Sequence, residues 1–471
     1  MVVPAQEGMS SQAVDAERIR QVLAHQVDHV LSGSNGYGAS ERRIVRVEVP
    51  APSINLPGWL QAQDASFKLY WSARHDQTAT ASVGVADRCG TGTLDYAALK
   101  SHLDPLLTNA DPATRYYGGL RFDAQRPTDE HWQAYGAYRF VLPRFEVQRR
   151  EGRTSLVCNL VLPRDRGRRE EILAKVEQLV LPTLPLTDRL PLPVARKDIP
   201  EGAGWHANIN WALSAFEASS LEKVVLARRA VFDFAETMDP VLLLQHLETA
   251  TPNCFHYYFQ PRAGTAFLGA SPERLFRREG RSIYSEAVAG TRPRGETAYA
   301  DEVLREELLH SEKDQREHAY VRQSIRQTLD PLCTDLNVDT FASEMKLARG
   351  RHLVSRIHGT LREGVTSFDL LDGLHPTPAV GGYPKEEALV AIRAQEPFDR
   401  GWYAGPVGWI GPDAAEFAVA LRCGLVTPHQ LVLFSGAGIV LGSRPEAEWD
   451  EIEHKIVDFI KVLGLDLQRA K

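Results

Sequence analysis

Cysteine is scarce in this chain of 471 residues: there are 5, at Cys89, Cys158, Cys254, Cys333 and Cys423, with no C-x-x-C pair among them. An odd, scattered set excludes a disulfide framework and a thiolate metal site, and it fits a reducing compartment such as the cytoplasm. Long apolar runs are also missing. The stretch LVLFSGAGIVLG from Leu431 to Gly442 is shorter than the roughly 20 residues a membrane span needs and is rich in glycine. The N-terminus MVVPAQEGMSSQAVDAERIR has no basic region followed by an apolar core, so no signal peptide is expected. Nor is there an excess of positive charge. Lys and Arg total 54 against 61 Asp and Glu, a net charge of −7, which argues against a basic face for nucleic acid. No fixed-period repeat is visible, which disfavours a solenoid or propeller. An acidic chain that takes an anionic ligand must hide its cations in a pocket.

What is present is an ordinary globular composition, 43% hydrophobic and 24% charged. At roughly 150 residues per domain, the length allows about three domains or one large body. Residues from about Ala13 to Ser32 predict an amphipathic opening helix. FKLYWSAR, TASVGVAD, YRFVLPRFEVQR and TSLVCNLVLP predict strands bounded by turns. The proline-rich passage from Leu181 to Pro200 reads as a linker, so the chain is divided into a strand-rich part, 1–195, and a second region, 196–471. The second region opens with the helix-like WHANINWALSAFEASS and the strand-like LEKVVLARRAVFDF. In that strand Val224, Leu226, Ala230, Phe232 and Phe234 share one face, and Lys223, Ala227, Arg229 and Asp233 the other. One long helix is expected from about Thr297 through SEKDQREHAYVRQSIRQTL, and another after Pro445. Grouped strands with inserted helices predict an α+β fold.

Several segments carry possible chemistry. GAGIVLG looks like a dinucleotide loop, but its G-x-G-x-x-x-G spacing lies between two apolar runs and no helix opens on it. Its glycines do allow close backbone approach and amides free for an anion. In PEAEWDEIEHKIVDFIKVLG, the residues Trp449, Ile452, Ile456, Phe459 and Leu463 form one stripe, edged by Glu448, Glu451 and Lys455. Those acids suit a first helical turn, where they complement the dipole. Glu312, Asp314 and Glu317 form a second helical acid cluster. Charged stretches like it are usually solvated faces, yet two helices that each offer a carboxylate can hold Mg²⁺. Glu273 follows Ser271-Pro272 as a turn residue or as a carboxyl whose burial keeps it protonated. Lys223 either reaches solvent or is desolvated in a cleft, where it could act as a base.

Read together, KVVLARR, FLGASPERLFR, EAVAGTRPRG, SEKDQREH, HLVSRIHGTL, LHPTPAVGGYP, WYAGPVGW, ALRCGLV, FSGAGIVLGS and EWDEIEHK stand in the order seen in the chorismate-utilising enzymes. The chain resembles isochorismate synthases of the menaquinone and siderophore branches, strongly from about Trp205 to Gly464 and loosely before that. The resemblance implies an anthranilate synthase component I-like fold, with two large, mainly antiparallel β-sheets and flanking helices. It implies Mg²⁺-dependent conversion of chorismate to isochorismate, by addition of water at C2 and loss of the C4 hydroxyl. Lys223 then looks like the base that activates water and Glu273 like the acid that protonates the leaving hydroxyl. Glu317 and Glu451 match the Mg²⁺ carboxylates, with Asp314 and Glu448 as water-mediated partners. Arg422, Lys455, Tyr403 and the segment Gly436, Ala437 and Gly438 match positions that grip the substrate's carboxylates. Gly290, Thr291 and His352 resemble further pocket positions.

The same resemblance separates related activities. Anthranilate synthases have Gln where Lys223 stands and pair with a glutaminase chain; no such partner is expected here, nor nucleic acid or membrane. Aminodeoxychorismate synthases place a nucleophilic Lys in a PIKGT-like segment, where this chain reads AGTRPRG. Salicylate synthase, which goes on to eliminate pyruvate, and a non-catalytic chorismate-binding relative are the alternatives.

Overall fold

The computed structural model describes residues 7–33, 42–74, 78–90, 92–181 and 189–465. Strands dominate where aromatic and β-branched residues are dense, as in Lys68–Ser72, Ala79–Cys89, Tyr138–Arg150 and Arg153–Leu162. Among the described residues, 20 strands form one hydrogen-bonded network. Two antiparallel arms diverge from Tyr138–Arg150. The first passes through Ala79–Cys89, Lys68–Ser72, Phe255–Arg262, Thr265–Ser271, Cys423–Thr427 and Gln430–Val440 to Lys223–Phe234. The second passes through Tyr116–Leu120, Pro406–Ile410, Ala414–Val419, Arg274–Glu279 and Ser282–Pro293 to Gly350–Leu361. The two large sheets expected are these arms, joined at one shared strand and flanked by helices, so the fold is α+β. The first arm thus brings together strands from the first, middle and last parts of the chain.

An aromatic core holds the center together. The rings of Trp132 and Phe267 lie 5.3 Å apart, those of Phe259 and Trp402 5.0 Å, and those of Tyr135 and Trp402 5.2 Å; each such pair contributes about 0.5–1.5 kcal/mol beyond its area. A second cluster lies beneath the helices Glu7–Leu31, Leu56–Ala62, Arg169–Gln178 and Pro240–Ala250.

Three expectations need correction. Of the supposed linker, residues 182–188 lie outside the described residues, and Pro193–Ile199 is a strand paired with Lys223–Phe234 that runs across position 195. Proline density misled there, because an edge position has no need of every N–H. The single helix from Thr297 is two, Ala298–His310 and Glu312–Leu329. Ser311 is extended between them, and its hydroxyl accepts from Asp314 N at 3.2 Å, a serine cap that restarts the helix. The last helix likewise divides into Pro445–Lys455 and Val457–Val462 at Ile456.

Gly401 shows how tight the aromatic core is. Its φ is +57°, and a Cβ there would lie 1.9 Å from Trp132 Cε2. Gly401→Ala is expected to cost about 3 kcal/mol or more through overpacking and backbone strain, read as a lowered melting temperature; an unchanged melting temperature would contradict this packing.

Candidate active site

The site is built on the pairing of Lys223–Phe234 with Gln430–Val440, in the register Lys223↔Val440, Val225↔Gly438 and Ala227↔Gly436. Alternation puts Lys223, Val225 and Ala227 on one face, with the two glycines beside them. Val225 N donates to Gly381 O and Ala227 N to Glu396 Oε1, both at 2.8 Å. Their N–H groups therefore point away from the glycine strand, and by antiparallel alternation the amides of Gly436 and Gly438 point away from Lys223–Phe234. They emerge past Cys423↔Phe434, the last pair on that side. The glycines also make room. A Cβ on Gly438 would lie 2.2 Å from Glu317 Oε1 and 3.1 Å from Lys223 Cε, and one on Gly436 would lie 2.9 Å from Tyr403 Oη. Ala437, expected among the substrate contacts, is corrected: it is fully buried in the core and absent from the cavity lining. Its side chain alternates to the opposite face, and its backbone lies in the ladder with Leu226.

Above these strands is a cavity lined by Glu273, Gly290, Thr291, Glu317, His352, Tyr403, Arg422, Gly436, Gly438, Glu451 and Lys455. Segments up to 232 residues of sequence apart are thus gathered in one place, from Lys223 below it to Lys455 in its lining. Lys223 is fully buried, with Nζ 3.1 Å from Glu317 Oε1, a distance for an ion pair although the ammonium is not in line for a hydrogen bond. Tyr403 stacks on Phe434 at 5.3 Å. Arg422 takes a left-handed backbone, φ +48°, and donates from Nη1 to Lys455 O at 3.1 Å. Lys455 Nζ bridges Gly436 O at 2.8 Å and Glu451 Oε1 at 2.7 Å.

The titratable groups are set apart by their surroundings. Burial, reinforced by the nearby Glu286 carboxylate, pushes Glu273 up to about 8 against the pull of Lys223, Lys455 and Arg74. It is protonated at neutral pH, as a proton donor requires. Burial and the Arg422 guanidinium hold His352 down at about 3, so its ring is neutral. Its Nδ1 lies 3.0 Å from Gly290 O and 3.1 Å from Thr291 Oγ1. A carbonyl can only accept, so the proton is assigned to Nδ1. That leaves Nε2 an acceptor, buried without a partner among the described residues.

The acid cluster comes from two helices. Glu317 lies on Glu312–Leu329, and Glu448 and Glu451 lie on Pro445–Lys455. Burial pushes Glu451 up, but Lys455 outweighs it and holds the carboxyl below its ordinary range. Glu448 is raised by burial and by Glu451; its Oε1 meets Lys313 Nζ at 2.6 Å. Asp314 lies just outside the cavity lining, paired with Arg292 at 2.7 Å. Among the described residues no group of three or more His, Cys, Asp or Glu forms a closed metal cage. An ion held here by Glu317 and Glu451 would complete its sphere with water and ligand oxygens.

Sequence reasoning missed the apolar wall of Val225, Val288, Ala289, Val380 and Phe434. Alternation could have found Val225, two residues after Lys223. It also missed Lys313 and Glu286, whose neighbours in SEKD and SEAVAG were in view. An adjoining cleft of about 360 Å³ shares Pro272, Thr291, Arg422 and Glu451 with the cavity.

Comparison with known proteins identifies the family. Isochorismate synthase 2 of Arabidopsis thaliana chloroplasts is 33% identical over 452 residues, covering 89% of this chain and 80% of the relative. The solved structure of MenF of Escherichia coli, a menaquinone-specific isochorismate synthase, superposes with a TM-score of 0.81 at 28% identity, covering 94% of this chain and 99% of that one. Anthranilate synthase component I of Streptococcus pneumoniae, at 19% identity and a TM-score of 0.67 over 84% of this chain and 93% of its own, shares the fold. The family model described as chorismate binding enzyme matches residues 32–464, and the chain belongs to that family.

Proposed function

We propose that the protein is an isochorismate synthase that converts chorismate to isochorismate for menaquinone or siderophore synthesis. The observation that carries this reading is a fully buried lysine, Lys223, beneath one cavity whose lining holds the buried Glu273 carboxyl with Arg422 and Lys455. Water addition at C2 with loss of the C4 hydroxyl needs a base, an acid and a grip on two carboxylates. Lys223, as the free amine, takes the proton of the attacking water. Glu273 delivers its proton to the departing hydroxyl, and the neighbouring Glu286 carboxylate discourages early ionisation. Arg422, Lys455, Tyr403 and the Gly436 and Gly438 amides hold the carboxylates, where a planar guanidinium suits bidentate contact. Neutral His352 offers Nε2 to a ring hydroxyl, with Gly290 and Thr291 fixing its orientation.

Glu317 and Glu451 would hold Mg²⁺, with Asp314 and Glu448 acting through water. The fit is supported by a buried Glu448 Oε2 with no donor in line, the Ser443 hydroxyl lying beside it. Bound there, the ion would neutralise a substrate carboxylate. We assign residues 196–471 the chemistry and 1–195 the strands that complete its scaffold. Among the described residues no helix is long and apolar enough to cross a membrane. The five free cysteines support a reducing compartment such as the cytoplasm.

Incubation with chorismate and Mg²⁺ should yield isochorismate; salicylate formed without an added lyase would instead establish salicylate synthase. Lys223→Ala should lower kcat by about 10²–10⁴ with chorismate still bound, and wild-type turnover would remove Lys223 from the reaction. Because Glu273 acts in its protonated form, kcat/KM should fall as pH rises through about 8. Glu286→Gln, by deleting a like charge, should move that limb to lower pH; a limb that stays in place would contradict the coupling. Glu317→Gln and Glu451→Gln should each raise the Mg²⁺ needed for half-maximal activity about tenfold or more, and an unchanged titration would exclude them as ligands.

A further inference from the structure

Lys313 has no part in the chemistry described so far, yet it stands among the acids of the site. It is the second residue of the helix Glu312–Leu329, beside the serine cap. Its Nζ meets Glu448 Oε1 at 2.6 Å, and the Glu448 side chain is only 1% exposed. The attraction on this ammonium comes from Glu448, Glu451 and Glu317 together, carboxylates from both helices. Lys313 itself is 35% exposed and lines the adjoining cleft with Arg292, Arg422 and Glu451. One end of a flexible chain thus neutralises the acid cluster, while the rest of it faces open space.

We propose that Lys313 is a tethered counter-ion of the Mg²⁺ site, holding the acid cluster together in the metal-free protein and swinging off Glu448 into the cleft when the divalent ion binds. The inference rests on the Mg²⁺ reading given above. Three considerations support it. Carboxylates gathered in a buried site repel one another, and Glu448 and Glu451 stand one turn apart on the same helix; without a cation the helix ends would be pushed apart. Lysine suits the task better than arginine, since its ammonium is a compact point charge on a flexible stem and makes no bidentate lock. Departure is also open to it, because the adjoining cleft is large enough to receive the side chain and leads to solvent. The consequence is competition: a tethered positive charge lowers the apparent affinity for Mg²⁺ and limits metal binding when no substrate carboxylate is present to favour it.

The test is a titration of full-length protein with Mg²⁺ alone, followed by intrinsic tryptophan emission, with Trp449 on the same helix as Glu448 and Glu451 as the reporter. Lys313→Met removes the charge and keeps the stem. It should bind Mg²⁺ about tenfold more tightly than wild type, the scale of removing one unit charge near a divalent ion in a partly solvated site. Lys313→Arg, which keeps the charge and can grip Glu448 with two nitrogens, should bind Mg²⁺ no more tightly than wild type, and thermal melts report whether either variant is folded. Unchanged or weaker Mg²⁺ binding by folded Lys313→Met would overturn the proposal, showing that Lys313 orients Glu448 and does not compete with the ion. Failure of the wild-type protein to bind Mg²⁺ would overturn the metal reading itself, and with it the role of Lys313.

Discussion

Everything at the site depends on one strand pairing, Lys223–Phe234 against Gln430–Val440, and on its register. With Gly438 opposite Val225 and Gly436 opposite Ala227, two positions on the working face have no side chain. Lys223 and Glu317 occupy the space at one and Tyr403 the space at the other. A slip of one residue would turn Lys223 to the far face and bring Ala437 into the cavity. The pairing is held from both sides. On its outer edge the buried pair Glu396–Arg400 satisfies the backbone that the glycine strand leaves unpaired, with Glu396 accepting from Ala227 N and Arg400 Nη2 donating to Val225 O at 2.7 Å. On its back face Arg228 is ion-paired with Glu453 and lies 5.0 Å over the Trp449 ring. Arg196 joins the same carboxylate.

That back-face network explains how one helix can serve two purposes. Pro445–Lys455 presents Glu453 to Arg196 and Arg228, while Glu448, Glu451 and Lys455 face the acid cluster and the cavity. Buried ion pairs add little net stability against an apolar alternative, but breaking one leaves a costly unpaired charge. Here they set the rotation of the helix about its axis. The cavity then combines opposite demands: cations for a dianionic substrate, carboxylates that we propose hold a metal, and a carboxyl kept neutral by burial. A net charge of −7 is compatible with an anionic substrate because the cations that matter are local.

Much of this was legible in the sequence. The two-residue period placed Lys223 and Val224 on opposite faces, and the ordered motifs named Glu273, Glu317, Arg422 and Glu451 before any contact was known. What could not be read was set by tertiary structure. Ala437 belonged to a glycine-rich motif, and only the ladder shows that its amide and side chain are both committed elsewhere. The break at Ser311 depends on a cap that competes with a continuous helical pattern. The protonation of Glu273 arises from burial and from Glu286 on a neighbouring strand, against the pull of Arg74 from the first part of the chain. Proline between Leu181 and Pro200 resembled a linker because sequence alone does not reveal that Pro193–Ile199 finds a partner strand.

The claim that water, activated by Lys223, replaces the hydroxyl protonated by Glu273 is tested most directly by isotope labelling. Turnover of chorismate with Mg²⁺ in ¹⁸O-water, followed by mass spectrometry of the isochorismate formed, should show one solvent oxygen in the product, carried on C2. Isochorismate without solvent oxygen would mean that the C4 hydroxyl migrates within the substrate, and the account of Lys223 and Glu273 as base and acid for an incoming water would be wrong.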